Sequence, residues 1–162
     1  MNIWLKTASP DHETGEELEA RVMMIAEEVE RLPATVEEKA LVAATIHDES
    51  QRFHLSVHEG TKRGDRGRAW CLGQLHNQTW LPRAELELTV GTDREATRRC
   101  LMGAVQAYRG GGKKLVCSSL DRAIAMYATG RGCSASWSGT GRRLRLTWQM
   151  MALMRKAGHA SY

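Results

Sequence analysis

Apolar positions recur at helical spacing along most of this chain. Between residues 14 and 32, Leu18, Val22, Ile25, Val29 and Leu32 fall on one face, and Thr14 followed by Glu17 has the spacing of a capping box. Pro33 closes that segment, because its ring cannot continue a helix. The same signal, Thr35 with Glu38, opens a second helix predicted to run to about Arg52. Residues 54–82 lose the period: Gly60, Gly64, Gly67 and Gly73 punctuate short pieces that read as loops and a small hairpin. Helical spacing returns over about 93–108, 118–129 and 140–157. The pattern predicts one mainly α domain with a small irregular β-hairpin or loop insertion after the second helix. Its parts are an N-terminal helix in 1–34, a central region in 35–130 and a C-terminal helix in 131–162.

A length of 162 residues suits one domain that buries about 70% of its unfolded surface. With 42% hydrophobic and 26% charged residues, the composition excludes extensive disorder. No apolar run approaches the roughly 18–20 residues of a membrane span. Met1 to Ala8 carries one Lys and no apolar core of a secretory leader, so delivery outside a cell is expected to need another route. The net charge of +4 suits a polyanionic partner, nucleic acid or an anionic cell wall. Acidic residues crowd positions 11–38, whereas Arg and Lys dominate from Lys62 onward. A basic substrate face opposite an acidic helix accounts for this, and so does a solvated helix surface. The four cysteines show no C-x-x-C spacing, which disfavours a zinc ribbon or thioredoxin-like motif. They allow three pairings, or four reduced thiols. The preferred pairing joins Cys117 to Cys133 around a short helical segment and leaves Cys71 for Cys100.

Val42, Ile46, Glu49 and Phe53 are spaced i, i+4, i+7, i+11, which puts Glu49 in line with an apolar stripe near a helix C-terminus. Desolvation and the negative end of the helix dipole both favour a protonated carboxyl there. Such an acid can protonate the leaving oxygen of a glycosidic bond. The bland alternative is that Glu49 rolls off the stripe to pair with an arginine. Asp48 lies about 100° around the helix, on a more polar side, and is the weaker candidate. His47, His54, His58 and His76 lack the H-E-x-x-H zinc spacing and read as solvated or loop-orienting, so neither metal nor other cofactor is expected. Trp70, Trp80 and Trp137 could stack on sugar rings or fill the core.

The stretch Glu49-Ser50-Gln51-Arg52-Phe53 resembles the E-S-x-x-F motif of the soluble lytic transglycosylase and goose-type lysozyme superfamily. Gly67 to Leu75 is similar to that superfamily's G-x-x-G-L-M-Q-[IL] segment, and Ile124 to Gly130 to its A-x-A-Y-N-A-G motif. The V-H-x-G, R-G-D-x-G and W-C-L-x-Q segments at 57–60, 63–67 and 70–74 also resemble small phage and bacterial lysozyme-like proteins. The resemblance spans Thr35 to Gly130. It implies a lysozyme-like α+β fold, Glu49 as catalytic acid, and Gln74, Tyr127, Thr129 and His58 as glycan contacts, with the Tyr127 hydroxyl partnered by Glu49. His58 could instead brace the insertion. Two positions depart from the pattern: Ala128 stands where the motif has Asn, and Gly73 where it has Met.

The resemblance implies peptidoglycan glycan strands as the partner, cut at the MurNAc-GlcNAc β-1,4 bond. A hydrolase needs a second carboxylate. The corresponding position is Ala69, leaving only Asp65 and Glu59 on the insertion, and a Gly-rich loop most often uses Asp as a turn residue. A single-carboxylate lytic transglycosylase therefore fits better, with muramidase as the alternative. The resemblance further implies action in the periplasm or cell wall by a monomer that is phage-delivered, virion-associated or released on lysis. Two rivals stand beside this reading. One is a non-catalytic wall-binding or virion structural protein. The other is a nucleic-acid-binding domain using Arg66, Arg68, Arg94, Arg98, Arg99, Arg142, Arg143 and Arg145, disfavoured because no helix-turn-helix or zinc-finger signature accompanies them.

Overall fold

Two capping boxes start the fold. Thr14 and Thr35 each accept a hydrogen bond from the backbone three residues on, and Glu17 and Glu38 reach back to the cap amides. A computed structural model of the protein describes residues 13–159. The expectation for Met1 to Ala8 lies outside that range. The helical segments, in order, are α1 (Gly15–Glu30), α2 (Val36–Glu49), α3 (Leu55–His58), α4 (Gly64–Gly67), α5 (Arg83–Glu87), α6 (Arg94–Arg109), α7 (Leu120–Thr129) and α8 (Thr140–His159). Of these, α4 is a left-handed turn, with Asp65 and Arg66 at φ 51° and 56°.

The centre of the molecule is α2, which packs against α1, α6 and, most extensively, α8. Every side chain from Ala40 to Ile46 is buried, so this helix is sequestered all round, beyond the single stripe its spacing suggested. Ala40, Ala43 and Ala44 keep its girth small. The α1 stripe of Val22, Ile25, Val29 and Leu32 joins the same core, which Leu101, Ala104, Val105 and Ile124 extend across α6 and α7. Charge ties α1 to α6 as well. The Glu28 carboxylate is buried among Arg31, Arg94 and Arg98, whose hydrogen bonds hold it down to about 2 despite burial.

Mainly α is what the chain forms, but the expected hairpin is not there. Among the described residues no strand occurs, only isolated antiparallel bridges at Trp70–Leu75 and Gln78–Leu81. The physical reason lies in the backbone: Cys71 and Gln74 take left-handed φ of 51° and 50°, which coils the chain into a tight turn instead of extending it. The second helix also ends at Glu49, short of Arg52, because Gln51, Arg52 and Phe53 all turn left-handed. Both cysteine pairs, Cys71–Cys100 and Cys117–Cys133, are disulfides. No described helix is long and apolar enough to cross a membrane.

Candidate functional site

Three consecutive non-glycine residues in the left-handed region cost roughly 1–2 kcal/mol each, and strain of this kind is held only where its surroundings over-determine it. Ser50 does much of the holding. Its hydroxyl donates to the Ile46 carbonyl and accepts from the Phe53 amide at 2.7 Å. Phe53 is fully buried. Together they stop α2 at Glu49 and leave that carboxylate at the helix end, with its side chain 26% exposed.

Glu49 does not face an apolar wall. The Arg143 guanidinium, from α8, donates through Nη2 to Glu49 Oε1 at 2.6 Å and to Asp48 Oδ2 at 2.9 Å, while Nε reaches the same Asp48 oxygen at 3.1 Å. Arg142 meets the other Asp48 oxygen at 2.8 Å. Arg143 is 2% exposed and lies over the Trp137 ring, 4.6 Å from its centroid. Its Nη1 is buried and meets no acceptor among the described residues. This corrects the expectation of a carboxyl isolated on an apolar stripe: the apolar positions pack inward, and Glu49 pairs with an arginine, the alternative its spacing left open, with the particular arginine supplied by a helix distant in sequence.

Beside α7 lies a cleft of about 660 Å³, lined by Gln74, Tyr127 and Thr129 together with Asp65, His76 and Trp80 among others. The structure thus brings three of the expected glycan contacts to one cleft. Gln74 is already engaged: its Oε1 accepts from the Gly64 amide at 2.8 Å and its Nε2 donates to the Cys71 carbonyl at 3.0 Å. A Cβ at position 64 would come within 2.4 Å of that Oε1, so a side chain there would push the Gln74 amide out of this position. The Thr129 hydroxyl donates to the Ala125 carbonyl and accepts from the Arg131 amide.

Tyr127 donates to the Gly73 carbonyl at 2.7 Å, and not to Glu49 as the resemblance implied. The two approach closely, since a Cβ at Gly73 would stand 3.2 Å from the Tyr127 hydroxyl. Burial, the neighbouring Tyr108 and the Glu49 charge together push the Tyr127 phenol well above its ordinary value, so it stays a hydrogen-bond donor. Tyr108 stacks on Tyr127 at 4.8 Å between centroids and is itself pushed up to about 12, chiefly by burial. Glu49 is not among the cleft-lining residues. Its link to the cleft is Tyr127, which lines it and feels the Glu49 charge.

His58 is not brought to the cleft. It is 1% exposed, with Nε2 at 2.8 Å from the Thr97 hydroxyl and Nδ1 at 3.4 Å from Arg21. It braces α3 against α1 and α6, the second of the two roles read for it. Asp65 lines the cleft and sits 3.5 Å from His76. Glu59 is exposed and does not line it. Of Trp70, Trp80 and Trp137, Trp80 lines the cleft; Trp70 lies beneath the Arg63 guanidinium, and Trp137 beneath Arg143. Arg94, Arg98, Arg99, Arg142 and Arg143 are all paired to carboxylates. Among the described residues no group of three or more His, Cys, Asp or Glu is placed to hold a metal ion.

Sequence reasoning missed Arg143 and Tyr108 as partners of the site. Arg143 is 94 residues from Glu49, and the Arg142-Arg143 doublet at the start of α8 was the only local hint. No protein-family model, curated protein or solved structure matches this chain.

Proposed function

We propose that this protein cleaves peptidoglycan at the MurNAc-GlcNAc β-1,4 bond as a lytic transglycosylase, with Glu49 as general acid and then base. Glu49 gives its proton to the glycosidic oxygen, the bond to the MurNAc anomeric carbon breaks, and GlcNAc leaves with a hydroxyl. The resulting carboxylate takes the proton of the muramyl 6-hydroxyl as that oxygen closes on the anomeric carbon. A 1,6-anhydromuramyl end forms and no water is consumed. What supports this reading is that Gln74, Tyr127 and Thr129 line one cleft, and that the Glu49 charge helps to raise the Tyr127 phenol. The enzyme would act at the cell wall, carried by a phage particle or freed by lysis.

Two observations favour other readings. Asp65 on the cleft wall is an exposed carboxylate of the kind a muramidase would use. The Glu49–Arg143 ion pair is a structural use of that carboxylate and suits a non-catalytic wall-binding or virion protein. Mass spectrometry of soluble products from purified sacculi, wild type against Glu49→Gln, separates the three. Anhydromuropeptides that fall at least about 100-fold in the variant are the expected result. Reducing-end muropeptides would instead mean hydrolysis, and no product from either protein across several wall types would leave the binding role.

A further inference from the structure

We infer that Arg143 is the positioning residue of Glu49, holding one carboxylate oxygen and thereby fixing how the carboxyl is oriented. The inference rests on the reading of Glu49 as the reacting carboxyl. Arg143 Nη2 has two protons and spends one on each of two carboxylates, so Asp48 and Glu49 are fixed relative to each other through a single nitrogen. The guanidinium is itself immobilised, by the second bond from Nε to Asp48 and by the Trp137 ring on its face. Glu49 Oε1 is taken by Nη2, whereas Oε2 makes no hydrogen bond among the described residues.

Stability alone does not explain the arrangement. Arg142 already neutralises Asp48 through Oδ1, so that carboxylate has a counterion without Arg143. The shortest of the Arg143 contacts is the one to Glu49. The charged and titratable groups around Glu49 are Arg143 from α8, Tyr108 from α6, Tyr127 from α7, and Asp48 beside it, with Asp48, Arg52 and Arg142 in turn acting on His47. Both tyrosines are raised and remain neutral, so Asp48 and Glu49 are balanced by Arg142 and Arg143.

The test compares wild type with Arg143→Met, Arg143→Lys and Asp48→Asn in the full chain, by two readouts. Product release from sacculi at varied substrate should show Arg143→Met losing about 100-fold in kcat while KM holds, as a misplaced reacting group does, with Arg143→Lys recovering part of the loss. Independently of activity, labelling of Glu49 by a carbodiimide and an amine, mapped by peptide mass spectrometry against exposed Glu16, should rise several-fold in Arg143→Met. Asp48→Asn keeps the guanidinium but removes one anchor, so it should move both readouts the same way by less, and it serves if Arg143→Met does not fold. Wild-type kcat in Arg143→Met, a loss confined to KM, or unchanged Glu49 labelling would each overturn the inference. A wild type that releases no product, but whose Glu49 labelling still rises on Arg143→Met, would sink the transglycosylase reading and leave the holding role of Arg143 supported.

Discussion

His58 sits where α1, α3 and α6 meet, and its ring nitrogens divide their work. The Arg21 guanidinium can only donate, so Nδ1 accepts and Nε2–H donates to Thr97, which fixes a neutral tautomer. Burial, reinforced by the Arg21 charge, pushes the imidazole from 6.5 down to about 3. The folded protein therefore binds fewer protons at His58 than the unfolded chain between those two values, and stability falls as pH drops through that window. From about pH 6.5 to about pH 5 the loss is about 2 kcal/mol. Urea unfolding at neutral pH and at about pH 5 should show a steeper decline for wild type than for His58→Gln. Parallel declines would rule this account out. At the same scale, Glu49 was legible as a carboxylate at a helix end, because helical spacing fixes which residues share a face. Its counterion was not, since nothing local links it to Arg143.

Helices α1 and α2 were readable because each carries its own start signal in Thr-x-x-Glu, and a local hydrogen bond needs only local sequence. The insertion was harder. Glycines marked it as irregular, yet left-handed turns and a hairpin draw on the same residues, and the choice fell to Cys71 and Gln74, neither a glycine. The disulfides then pin both sides of the cleft. Cys71–Cys100 fastens the turn carrying Gly73 and Gln74 to α6, and the Gly73 amide rests 3.4 Å from the Cys100 sulfur. Cys117–Cys133 closes a loop with a sequence separation of 16 around α7, which carries Tyr127 and Thr129. Replacing both Cys117 and Cys133 with Ser should cost about 3 kcal/mol through the freed loop, read as a lower Tm. A Tm unmoved by that pair of substitutions would show that packing alone holds α7 in place.

Across the whole molecule the +4 charge is spread unevenly, with many arginines consumed in pairs to α1 and α2. What attraction remains for an anionic wall is long-range and screened. Pull-down on purified sacculi should weaken several-fold between about 50 and about 500 mM NaCl, as the Debye length shrinks from about 14 Å to about 4 Å. Binding indifferent to salt would place recognition in the cleft alone. The sequence by itself determined the helical character, the starts of α1 and α2 and the place of Glu49 towards the end of α2, because periodicity, caps and breakers act within a few residues. Tertiary structure alone decided that His58 is a buried brace, that Tyr127 serves Gly73, and that Glu49 is held by Arg143. Those roles depend on which distant side chain fills the space beside each group, and that is settled only when α2, α6, α7 and α8 pack together.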